Sequence, residues 1–193
     1  NGQLGSALKD MAGENGQFSW GFIDYPDPDL TDRQKTLDYF NNHRTDYIVN
    51  CAAFTAVDEA EKRPGNAFAV NAGIPETLGM ICQERAIRMI HISTDYIYNG
   101  NASIPHTEDE SPDPQSVYGS SKLAGEQVLW ENPLAIVIRT SWLYSEYGHN
   151  FLKTMLRLGS ERNDIGVVYA QAGTPTYAGD LAAAIVSVIR FSE

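Results

Sequence analysis

Apolar residues recur at helical spacing from the start of the chain. Leu4, Leu8 and Met11 follow directly on Asn1-Gly2-Gln3, which predicts a helix that opens at a glycine turn. Phe18 to Ile23 reads as a strand that delivers Asp24 at its end. Thr31-Asp32-Arg33-Gln34 matches a capping box, and Leu37 with Phe40 marks the helix it starts. Tyr47 to Cys51 is a short apolar strand running into Ala52-Ala53-Phe54-Thr55. Helical periodicity then runs from Pro64 through Ala86 (Phe68, Ala72, Leu78, Ile81, Cys82), and Pro75 is expected to kink or divide it. Asn71 falls on the apolar side of this helix, either as a buried structural hydrogen-bonder or as part of a site framework. Spacing does not choose between the two. Ile87 to Ile92 is the next strand, with Ser93-Thr94-Asp95 at its carboxyl end. The stretch from Tyr96 to Ser116, rich in Pro, Asp and Asn, is long for a connection and so expected to be functional or mobile. A helix carrying Tyr118, Leu123, Val128 and Leu129 follows, then a strand from Leu134 to Ile138 that hands over to Arg139-Thr140-Ser141-Trp142. A helix around Asn150 to Leu158, a strand from Ile165 to Tyr169 and a helix from Asp180, as N-cap, to Arg190 close the pattern.

Strands alternating with helices predict an α/β fold with a doubly wound parallel sheet, Rossmann-like in kind. At 193 residues, 42% of them apolar, the chain has the length of one domain and enough apolar surface for a core. Its net charge of −11 argues against nucleic acid or an anionic membrane as a partner. The longest apolar run, Leu181 to Ile189, is too short to span a bilayer. Cys51 and Cys82 lie in apolar segments and read as free thiols, and the four scattered histidines support no metal site. A cytoplasmic protein is expected.

Three features gather at strand carboxyl ends, where open parallel sheets bind ligands. Gly2 and Gly5, three apart at a helix start, have the spacing of the back half of a dinucleotide fingerprint. Asp24 stands at about the distance from which an acid accepts hydrogen bonds from an adenosine ribose, and its charge leans toward NADH over NADPH. Thr94 is placed to hold a reacting oxygen. Beyond it, Tyr118 and Lys122 lie four apart in a helical segment and so share one face. A phenol with an ordinary pKa of about 10 is expected to be drawn toward neutrality by such an ammonium, and can then exchange a proton with a carbonyl or alcohol. Each signal alone has a bland reading: a glycine turn, a surface acid, an exposed tyrosine beside a solvated lysine. Their convergence on strand ends favours the catalytic one.

Several runs together resemble one family. They are Asn1-Gly-Gln-Leu-Gly5, Asn50-Cys-Ala-Ala-Phe-Thr-Ala-Val-Asp58 with Glu61, Ser93-Thr-Asp-Tyr-Ile-Tyr98, Tyr118-Gly-Ser-Ser-Lys-Leu-Ala-Gly-Glu126, Arg139-Thr-Ser-Trp142 and Gly173-Thr-Pro-Thr176. They are similar to the dTDP-4-dehydrorhamnose reductases, extended short-chain dehydrogenase/reductases. The resemblance implies an NAD(P)-binding Rossmann-like domain over 1–193, with the start of a small substrate domain near 142–180. It also implies NADH or NADPH as cofactor and a dTDP-sugar as substrate, and leaves a homodimer open. Gly2, Gln3 and Leu4 would meet the cofactor pyrophosphate, and Asp29 with Leu30 the adenine end. Ala52, Ala53 and Thr55 would line the cofactor's path, and Lys122 would hold the nicotinamide ribose. Tyr118 would donate the proton, Thr94 and Asp95 would meet the keto group, and Trp142 would face the sugar.

There are departures from the family pattern. The first strand and first glycine of the fingerprint are missing from the sequence, as is most of the C-terminal substrate domain, so a longer protein is expected. Tyr169-Ala-Gln-Ala172 replaces a run in which the family often has an Asp-Gln pair followed by an aromatic. Two alternatives stand beside the reductase. One is a nucleotide-sugar epimerase or dehydratase of the same superfamily. The other is a non-catalytic relative of the regulatory-subunit type found with methionine adenosyltransferase.

Overall fold

The computed structural model describes residues 2–14, 16–101 and 104–191. In chain order its helices and strands are α1 (Gln3–Glu14), α2 (Arg33–Asn42), β1 (Tyr47–Asn50), α3 (Val57–Lys62), α4 (Pro64–Phe68), α5 (Ile74–Arg85), β2 (Arg88–Thr94), α6 (Val117–Gln127), β3 (Ala135–Thr140), β4 (Leu143–Tyr144), α7 (Phe151–Glu161), β5 (Thr176–Tyr177) and α8 (Ala178–Phe191). They fall into two compact units, residues 23–139 in one and residues 1–22 with 140–193 in the other.

The 23–139 unit is built on a sheet of order β1-β2-β3, with β1 and β2 parallel and Asn50 opposite His91. Its core gathers Phe40 of α2, Ile48 of β1, Leu78, Ile81 and Cys82 of α5, Met89 of β2 and Leu129. α2 starts one residue later than the capping box suggests. Asp32 is the N-cap, accepting from the N–H groups of Gln34 and Lys35, because Thr31 is already engaged with the Asp29 carboxylate.

The long helical pattern is divided as Pro75 requires. α4 widens into a π-helical turn (Ala69–Gly73), and α5 restarts with the proline in its first turn. Without an N–H, Pro75 cannot bond the carbonyl of Asn71, so the i to i−4 ladder breaks there. That carbonyl faces α6. A Cβ on Gly125 would stand 2.1 Å from Asn71 O, and one on Gly119 would stand 2.2 Å from Tyr96 O. Both obstacles are backbone atoms that cannot swing aside. Gly125→Ala is therefore expected to cost roughly 1–3 kcal/mol of stability through overpacking. Gly65→Ala, where the new methyl meets open space, should be neutral or gain up to about 1 kcal/mol. Urea midpoints of the two variants check this, and equal midpoints would refute the close packing of α6.

In the other unit α1 packs against α8, burying Leu4 and Leu8 with Leu181, Ile185 and Ile189. β4 pairs in parallel with β5. α8 begins at Ala178, which puts Asp180 inside the first turn rather than at the cap. Two predicted strands do not form. Phe18 to Ile23 and Ile165 to Tyr169 join no ladder among the described residues, and an apolar run becomes a strand only when a neighbour accepts and donates its backbone bonds. No described helix is long and apolar enough to cross a membrane.

Candidate active site

Within the 23–139 unit, β2 delivers Thr94 to its carboxyl end, and a 3-10 turn (Asp95–Ile97) begins at once. Thr94 Oγ1 caps this turn by accepting from Tyr96 N–H at 3.2 Å, and its hydroxyl donates to Asp95 Oδ1 at 3.2 Å. The same hydroxyl is in hydrogen-bonding reach of the Tyr118 phenol, so Thr94, Asp95 and Tyr118 form one cluster. Tyr118 is buried, with its ring packed near Ala60 and Ala67 and edge-on to Tyr96. Ser116 starts α6 by capping Gly119 N–H at 3.0 Å, which fixes where Tyr118 emerges. One turn on, Lys122 is only 2% exposed, and its ammonium donates to Ile92 O at 2.6 Å.

The electrostatics correct one expectation. Burial, assisted by the Asp95 charge and Tyr96, raises the Tyr118 phenol above its ordinary value against the opposing Thr94 hydrogen bond. Lys122 is not among the groups that move it. The ammonium is turned to Ile92 O, and burial lowers Lys122 itself to about 8, with Glu126 and Cys51 pulling the other way. So Tyr118 keeps its proton at neutral pH and is poised as an acid. Burial also raises the Asp95 carboxyl, while hydrogen bonding to Thr94 and the nearby His106 counter it.

Asn71 proves to be both structural and framework. It is fully buried, accepts from Phe54 N–H at 2.8 Å, donates to Phe54 O at 3.1 Å and donates to Ser121 Oγ at 2.9 Å. Ser121 in turn donates to Tyr118 O at 2.8 Å. One side chain thus ties the Ala52-to-Thr55 run to the helix of Tyr118 and Lys122. His91, unlike Asn71, carries no signal in the spacing. Its Nδ1 faces Asn50 Nδ2 at 3.1 Å, and burial with the Lys122 charge lowers it to about 3, so the ring is neutral.

The remaining candidates lie apart from this cluster in kind. Ala52 and Ala53 are half-buried beyond β1, where their small side chains leave room for a flat ligand, and Thr55 is exposed. Asp24 is exposed in a single bridge with Asp27 and ends no strand. The Asp29 carboxylate is held below its ordinary range by the Thr31 hydroxyl and N–H, and Leu30 packs on the core. In the other unit, Gly2 O accepts from Ser6 N–H at 2.9 Å at the start of α1. The Gln3 side chain is spent on Leu143 O, Ser145 and Asn150, and Leu4 is buried. What these residues offer an anion is therefore the backbone N–H groups of a helix's first turn, not side chains. Trp142 has a positive φ of 47°, lies over Gly173 and packs beside Phe151.

Comparison with known proteins agrees with this geometry. The chain matches the family described as the RmlD substrate binding domain over residues 1–192. It is 40% identical over 191 residues to the dTDP-4-dehydrorhamnose reductase of Sinorhizobium fredii, covering 98% of this chain and 64% of that one. It thus spans less than two thirds of that curated relative's length. Among solved structures it is similar to a dTDP-4-dehydrorhamnose reductase from Clostridium acetobutylicum, with a TM-score of 0.94, 37% identity, and coverage of 98% of this chain and 68% of that one. The enzyme of the same name from Bacillus anthracis, solved in complex with NADP, gives a TM-score of 0.93 at 38% identity and covers 98% and 68% of the two chains. The fold shared with them is the Rossmann-like α/β fold that the alternating elements predict. With a likeness that runs through almost every residue and includes the helix on which Tyr118 and Lys122 lie, the chain belongs to the dTDP-4-dehydrorhamnose reductase family.

Proposed function

We propose that the intact protein reduces the 4-keto group of a dTDP-linked 6-deoxy-hexulose to give dTDP-L-rhamnose. The observation that carries this is Tyr118: a buried phenol, kept protonated by its surroundings, within reach of the Thr94 hydroxyl and one helical turn before a buried ammonium. Reducing a ketone needs a hydride and a proton. NADPH or NADH supplies the hydride when bound. Tyr118 O–H gives the proton to the alkoxide that forms at the former carbonyl, and Thr94 holds that oxygen by a hydrogen bond that strengthens as charge develops. Asp95 bonds the sugar beside it.

The residues present fit a nicotinamide cofactor. Lys122 spends one ammonium donor on Ile92 O, and an ammonium has further donors for the ribose hydroxyls. Ala52 and Ala53, in the same unit as Lys122, give a small-residue wall. A cytoplasmic location belongs to this reading.

The test is oxidation of NADPH or NADH by the intact protein with dTDP-4-keto-6-deoxy-L-lyxo-hexulose. Consumption of one reduced cofactor per sugar is expected. A tightly held cofactor that is never consumed would turn the reading to an epimerase, and no turnover with either cofactor would turn it to a non-catalytic relative.

A further inference from the structure

Tyr118, Lys122 and Glu126 follow one another at four-residue steps on the same face of α6, and all three are buried. Glu126 is 0% exposed. A carboxylate of that kind is kept in a protein core only when paired, and its partner is Arg139 at the end of β3. The guanidinium donates from Nε to both carboxylate oxygens at 3.1 and 3.2 Å, and from Nη2 to Oε2 at 2.7 Å. Its Nη1 is left to donate to Tyr98 OH at 2.8 Å and to Glu108 O at 3.1 Å, pinning the segment after the Thr94 turn. This network lies outside the chemistry assigned to Tyr118 and Thr94. The groups that bear on Lys122 are Glu126 on its own helix, Cys51 after β1 and His91 on β2. His91 is neutral and Cys51 is held as a thiol by burial, which pushes it up to about 12. Glu126 is then the one anion facing the ammonium among them.

We propose that Glu126 is a positioning residue, whose buried carboxylate, clamped by Arg139, holds Lys122 as a charged ammonium in register with Tyr118. A lysine taken out of water loses its proton as pH rises unless an anion opposes the change. Glu126 supplies that anion from the adjacent turn, and the hydrogen bonds from Arg139 hold it in place. Arg139 acts on Glu126 and not on Lys122 directly. The proposal rests on the reductase reading for its meaning, but not for its test.

The test is a titration of the Lys122 side chain by NMR in the intact protein without cofactor, using ¹³C-labelled lysine with Lys122→Met to assign the signal. Wild type should titrate near pH 8. Glu126→Gln, which keeps the shape and drops the charge, should move the midpoint down by about one unit, leaving roughly tenfold less charged lysine above it. Glu126→Asp should stay close to wild type. Should Glu126→Gln fail to fold because Arg139 is left unpaired, the double variant Glu126→Gln/Arg139→Met decides by the same downward shift. An unmoved midpoint in whichever of these folds overturns the proposal. Because the readout is the lysine itself, a protein with no reductase activity would refute the function without touching this result. If the function holds, cofactor affinity in Glu126→Gln should decline at a correspondingly lower pH.

Discussion

Tyr118→Phe should lower turnover by roughly 10²–10⁴-fold while cofactor binding stays near wild type. The variant keeps the ring that packs beside Ala60 and Ala67 and loses only the hydroxyl. Thr94, its neighbour, retains its bonds to Asp95 and Tyr96 N–H, so no buried group is stranded and stability should change by about 1 kcal/mol or less. The loss falls on kcat because the phenol acts when the carbonyl oxygen becomes an alkoxide. Steady-state kinetics with a separate cofactor titration check both halves. A variant with near wild-type kcat would remove Tyr118 from the reaction.

The second large effect is expected from Lys122→Met. Loss of a charged hydrogen bond to the ribose, at about 1.5–3 kcal/mol, should weaken cofactor binding by roughly 10–100-fold. In wild type that affinity should decline as pH rises through about 8, where Lys122 loses its charge, and in the variant it should be flat across the same range. Stability should move the other way. The folded value of Lys122 lies below its ordinary 10.5, so burial of the charge costs stability in full below about 8 and the cost is relieved as pH climbs toward 10.5. Wild type should therefore gain stability over that window, and the methionine variant should lack the gain while being at least as stable at pH 7. Binding isotherms and urea melts from pH 6 to about 10.5 measure both. A methionine variant that unfolds, or whose affinity is unchanged, would contradict the role.

The strands at Tyr47, Arg88 and Ala135 were legible because each is an apolar run bounded by turns and each has a partner in the sheet. The runs at Phe18 and Ile165 have the same local pattern without a partner, and pattern alone does not reveal that. The pairing of Tyr118 with Lys122 was legible from the four-residue step, and Thr94 from its position at a strand end. What that spacing misjudged was the sign of the electrostatics. Burial raises the phenol, and the lysine turns its ammonium to a backbone carbonyl, neither of which a helical step encodes. Asn71 was visible as a polar residue on an apolar face, but its partners at Phe54 and Ser121 come from remote parts of the chain. Glu126 was harder still. A glutamate in a helix ordinarily faces water, and only the arrival of Arg139 from β3 explains its burial.

Hydride and proton delivery to one carbonyl can be followed most directly with NADPH or NADH carrying deuterium at C4 of the nicotinamide. Incubation with dTDP-4-keto-6-deoxy-L-lyxo-hexulose, followed by mass and NMR analysis of the sugar, should show one deuterium at C4 of the product. The same label should be nearly undetectable in the sugar after equal time with Tyr118→Phe. Deuterium that stays on the cofactor while the sugar changes configuration, or equal labelling by the Tyr118→Phe variant, would contradict a reductase that protonates through this tyrosine.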